Sequence, residues 1–234
     1  MSMRRGRTAR ILFLTTILLV LGCPIDKKNE PTPTVAERVE RKFSDEELHA
    51  FWDSHFNRTV MEEVLRARYS VSDINNRYLE LSRRSAERYG KVFAIEASTS
   101  FNNRSRDVLA GCDARGGNPV LRIFVPAQLQ FYRSGKVTPQ TFEVSIVIGL
   151  LHELEHLASG CDNVDGKEAL IASEVTAWDR TCRYTVSALV RAGRNLDPVG
   201  ATMYRGWLAC GQKEGPCFNA FIREHYSPVT RFYD

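Results

Sequence analysis

Leu151-His152-Glu153-Leu154-Glu155-His156-Leu157 decides the reading of this chain. It follows directly on Val144-Ser145-Ile146-Val147-Ile148-Gly149-Leu150, an apolar run that has to be buried. Thr138 is a good helix N-cap, Pro139 suits the first helical position, and Ser159-Gly160 is a good stop. One long helix from Pro139 to about Ala158 is therefore expected. His152 and His156 are four residues apart. That spacing is just over one turn of about 3.6 residues, so both rings leave the same face. Two imidazoles on one face can grip a metal ion together, whereas two buried histidines without a partner are costly. Glu153 is rotated by about 100° from His152, near enough to reach a water at the ion without being a ligand. Glu155 points away from the two-histidine face.

Zinc suits such a pair. It lowers the pKa of a bound water and polarises a carbonyl, and a carboxylate base then moves the proton to the leaving amine. Glu153 is the expected base. An open zinc site uses three protein ligands, and Glu174 is the expected third. Its helical neighbours at three and four residues are Leu170, Ile171, Ala177 and Trp178. A carboxylate on so apolar a stripe needs a partner, and a metal ion supplies one.

These residues resemble the gluzincin metallopeptidases, in which a His-Glu-x-x-His helix is followed by a helix that carries a glutamate ligand. The resemblance covers about residues 120–183 and is specific at His152, Glu153, His156 and Glu174. It implies a zincin-like fold, a Zn2+ cofactor and a protein or peptide substrate. Thermolysin-like members support a histidine ligand with an aspartate four residues after the glutamate; here that place holds Trp178, with Asp179 one residue later. They also carry a histidine downstream that stabilises the transition state, a role that falls to His225 or Tyr226. In metzincin-like enzymes a third ligand follows the second histidine by six residues, which makes Asp162 the competitor of Glu174 and Met203 a weak methionine turn. Zincins hold peptide substrate along an edge strand before the active helix, and residues 120–125 stand in that place. The same ligand set also fits a zinc hydrolase of a cell-wall amide bond, or a non-enzymatic binding module on the same fold.

Outward from this helix, Val120-Leu121-Arg122-Ile123-Phe124-Val125 is the strongest strand signal, stopped by Pro126. Residues 92–97 read as a second strand. Residues 98–118 are rich in Asn, Ser, Arg and Gly and read as a loop or irregular hairpin. Residues 35–90 are helical in pattern, with Phe51, Trp52, Phe56, Val60 and Val64, then Ile74, Tyr78 and Leu81, at core spacing. His49 and His55 do not share a face and read as solvated or structural. A second long helix is expected from Gly166 or Lys167 to Gly193, and shorter helices over residues 198–224. The fold class is α+β: mostly helical, with a small mixed or antiparallel sheet packed on the central helix.

The chain of 234 residues opens with Arg4, Arg5, Arg7 and Arg10 and an apolar run over residues 11–21. That run is short of the roughly twenty residues a spanning helix needs, so residues 1–22 read as a signal peptide. It ends in Val20-Leu21-Gly22-Cys23, which resembles a bacterial lipobox. The resemblance implies lipidation of Cys23 and a membrane anchor in the bacterial cell envelope, at the outer membrane, towards which Pro24 leans, or facing the periplasm. Residues 23–34, polar with two prolines, read as a flexible tether, and residues 35–234 as one domain with its catalytic core from residue 91. The four arginines leave 28 basic against 28 acidic residues, which argues against a nucleic-acid partner. Beyond Cys23, an oxidising compartment allows two disulfides among Cys112, Cys161, Cys182, Cys210 and Cys217, with the last two bracketing a small loop.

Overall fold

The structure, a computed structural model, describes residues 43–56, 72–102, 108–160 and 166–225. The leader, the tether, Cys23, Val60, Val64, Cys161, Asp162 and Tyr226 lie outside the described residues. In chain order the elements are α1 (Asp45–His55), α2 (Ser72–Tyr89), β1 (Ala94–Ser98), β2 (Ala110–Asp113), β3 (Val120–Phe124), α3 (Val125–Arg133) and α4 (Pro139–Ser159). Then come α5 (Lys167–Arg180), a π-helical segment (Thr181–Val186), α6 (Ser187–Arg191), α7 (Pro198–Ala209) and α8 (Pro216–His225). The class is α+β, mostly helical with a small mixed sheet. Among the described residues no helix is long and apolar enough to cross a membrane.

Helix α4 starts and stops where its sequence dictates. The Thr138 hydroxyl accepts from the Thr141 N–H at 3.2 Å, and Thr141 Oγ1 accepts from the Thr138 N–H at 2.8 Å. Gly160 closes the helix with φ +97°, a left-handed value that favours glycine. A Cβ there would also meet the Arg88 guanidinium at 2.7 Å. Phe142, Val147, Leu151, Leu154 and Leu157 are fully buried, so α4 is wrapped on nearly every side. It packs against α2, β2 and β3, α5 and the π segment. That enclosure forces the polar groups of its last turns into a shielded interior.

The sheet has the order β1-β3-β2, with β1 parallel and β2 antiparallel to β3. Leu121 and Ile123 point into the core, while Arg122 faces outward between Glu96 (3.6 Å) and Asp113 (3.8 Å). This corrects one expectation: residues 120–124 form the central strand and not an edge. The edge beside them is β2, formed within the stretch that reads as a loop or irregular hairpin. Ala110-Gly111-Cys112-Asp113 is poor in strand formers and gives no periodic signal; pairing with β3 overrides that preference. Pro126 does stop β3, but it also sits in the first turn of α3, a helix the pattern did not announce.

The second long helix runs as expected from Lys167 to Arg191, interrupted by the π segment. Helices α7 and α8 meet at Gly206, where a Cβ would lie 2.3 Å from the Phe221 ring, and Cys210 and Cys217 are joined by a disulfide. Cys112 is half-buried and Cys182 is buried. The stripes of the N-terminal helices are core: Phe51, Phe56, Tyr132 and Phe142 pack ring on ring, with His55 among them and His49 exposed.

Candidate metal centre

The last two turns of α4 and the middle of α5 bring three donors together. His152 Nε2 lies 3.2 Å from His156 Nε2 and 3.2 Å from Glu174 Oε2. His156 Nε2 lies 3.6 Å from Glu174 Oε1. A tetrahedral ion with bonds of about 2.0–2.1 Å sets its donors about 3.3–3.4 Å apart. The donors already stand close to that spacing, and this group could hold a metal ion. The side chains are 3% (His152), 8% (His156) and 13% (Glu174) exposed, so little water competes there.

The backs of both rings are held by hydroxyls. Thr181 donates its single hydroxyl proton to the Ala177 carbonyl at 2.8 Å. Its 3.4 Å contact with His152 Nδ1 therefore has the ring as donor, which leaves the Nε2 lone pair facing the cluster. Ser173 Oγ stands 3.0 Å from His156 Nδ1. The Trp178 ring packs against His152 with centroids 4.3 Å apart. Asp179 supports neither histidine: it accepts from Trp207 Nε1 at 2.7 Å and from Arg183 Nη2 at 3.0 Å. Sequence reading singled out neither hydroxyl, although one signal was there. Thr181 follows Glu174 by seven residues, two turns, on the same helix face.

Two carboxyls at the centre titrate in opposite directions. Burial pushes Glu174 up, but His156 and His152 outweigh it and hold the group well below the usual carboxylate range. Burial dominates at Glu153 and raises it, partly offset by His152 and His156 and by the N–H of Cys112, which donates to it. Glu153 thus stands beside the donors without joining them, docked on edge strand β2. In the ladder, Phe124 N–H donates to the Leu109 carbonyl at 3.1 Å. By the alternation of an antiparallel pair, the main-chain groups of Ala110 and Cys112 point away from β3.

The remaining candidates separate clearly. Glu155 points away as expected, into an ion pair with Arg77. His225 is not brought to the cluster: it stacks on Phe221 and contacts Glu224. Two residues before it, Arg223 pairs with Glu168 in the first turn of α5, roughly 9 Å along that helix from Glu174. Met203 is a buried core residue. Asp162 and Tyr226, both outside the described residues, are not placed. Compared with family models, curated proteins and solved structures, the chain has no significant match.

Proposed function

We propose that this chain is a zinc-dependent peptidase with a zincin-like fold, anchored to a bacterial envelope membrane by a lipid on Cys23. The observation that carries the reading is the 3.2 to 3.6 Å spacing of His152, His156 and Glu174 donors with Glu153 beside them. Two imidazoles and one carboxylate at tetrahedral spacing match zinc in ligand type and number. Zinc bound there supplies Lewis acidity to a water and to a substrate carbonyl. Glu153 accepts the proton of the attacking water and passes it to the leaving nitrogen. Burial raises its proton affinity. His152 and His156 keep their Nε2 lone pairs aimed inward because Thr181 and Ser173 hold the opposite nitrogens. The outward main chain of β2 offers an extended peptide a strand to pair with, next to Glu153.

Glu153→Gln tests the reading. The variant should keep its zinc and lose turnover of a peptide library by on the order of 100-fold or more. Zinc retained with undiminished turnover would remove Glu153 as the base. Turnover of a cell-wall amide, with peptides untouched, would move the substrate class.

A second reading has its own support: the ligands are deeply buried and Glu153 already accepts the Cys112 N–H. It makes the zinc structural and the chain a binding module without catalysis. Zinc binding with no turnover of either substrate class would favour it.

A further inference from the structure

Arg77 reaches from α2 to the ligand-bearing helix α4 and to the π segment that continues α5. Its Nε and Nη2 donate to Glu155 Oε1 at 2.9 and 2.5 Å, and Nη1 donates to Glu80 Oε2 at 2.6 Å. Its Cζ lies over the Tyr184 ring, 4.3 Å from the centroid. Glu155 lies between His152 and His156 in α4 and is 1% exposed. Tyr184 follows Thr181, the residue behind His152, by three positions in the π segment. One side chain therefore touches the ligand-bearing turn of α4 and the continuation of α5 at once.

Stability does not account for this arrangement. Glu155 Oε2 is buried with no hydrogen-bond partner, so the charged pair is incompletely satisfied. Such pairs are often replaced by apolar residues with no loss of fold stability, or with a gain. What an apolar pair does not supply is direction. A planar fork gripping one carboxylate oxygen, with its face on an aromatic ring, fixes the orientation of both partners. Glu155 leaves α4 about 100° from His156, so holding it fixes the rotation of α4 at the ligand turn.

We infer that Arg77 is a positioning residue for the metal centre: it locks the rotation of α4 and its separation from the π segment, and so holds the His152–His156–Glu174 donors in ligand range. The inference rests on the metal reading above and gives the N-terminal helical region a role as a brace. Neighbouring Arg84 and Arg180 add positive charge near Glu155 but are not bonded to it.

The test is the paired variant Arg77→Met, Glu155→Met. It is compared with wild type by urea denaturation, by zinc competition titration and by the visible spectrum of the cobalt-substituted protein. Wild type should bind zinc tightly with a tetrahedral cobalt spectrum. The paired variant should unfold at the wild-type urea midpoint or above, bind zinc 10- to 100-fold more weakly, as for lost outer partners of a ligand, and show displaced cobalt bands. Arg77→Lys, which keeps the charge but not the fork, should lie between the two. It carries the same comparison if the paired variant fails to fold. Wild-type zinc affinity and an unshifted cobalt spectrum in these variants would overturn the inference while leaving the metal reading intact. A wild-type protein that binds no metal would overturn both.

Discussion

His152 and His156 face each other through Nε2 atoms 3.2 Å apart, and each has a hydroxyl behind its Nδ1. Glu174 stands beside them, its carboxyl held well below the usual range by the two histidines. A metal ion among the three would satisfy both inward nitrogens and the carboxylate together. The hydroxyls hold the opposite nitrogens and so bear on which nitrogen carries the proton.

Thr181→Val removes the acceptor of His152 Nδ1 while keeping the side-chain shape. It should weaken metal binding by about 10- to 100-fold, read by competition with a chromogenic chelator. Ser173→Ala should act the same way through His156. Unchanged affinity in both would mean that the hydroxyls do not orient the rings.

Asp197 caps α7, accepting from the N–H groups of Val199 and Gly200 at 2.9 and 3.2 Å, while its other oxygen is buried without a partner. Burial raises its pKa above the ordinary 3.8, against the smaller opposing effect of those N–H groups. For an acid raised on folding, the linked stability is fully present below the unfolded value and is lost as pH climbs through the folded one. Asp197→Ala should therefore cost about 1 kcal/mol from the lost cap at pH 7, and more at pH 4.5. Urea denaturation at the two pH values reads the difference. A cost that shrinks on acidification would reverse the assignment.

Gly206→Ala places a methyl where the Phe221 ring already lies, 2.3 Å from the new carbon. The ring also stacks with Phe218 and His225, so moving it disturbs both contacts. A loss of about 1–3 kcal/mol is expected, with zinc content unaffected because the contact is between α7 and α8. A neutral change in the thermal midpoint would show that the helices can slide apart at no cost.

Much of this was legible because particular residues leave few choices. Thr138-Pro139 and Gly160 set the ends of α4, and the apolar run between them fixed its burial. Glu174 stood out as an acid on an apolar stripe. Strand β2 was illegible because its residues favour strand weakly and it exists by pairing with β3. The support of the histidines was illegible for another reason. Serine and threonine are common on helices, and only the folded contact separates Ser173 and Thr181 from the rest. Asp179, one residue past the place where the resemblance puts a supporting aspartate, is bonded to Trp207 and Arg183 instead.

The most direct test of the central claim is the zinc content of the purified chain, wild type against Glu174→Gln, with Asp162→Asn as the control. About one zinc per wild-type chain is expected, with near-complete loss in Glu174→Gln and no loss in Asp162→Asn. A wild-type chain that holds no zinc after refolding with the metal, or a Glu174→Gln chain that keeps it while Asp162→Asn does not, would contradict it.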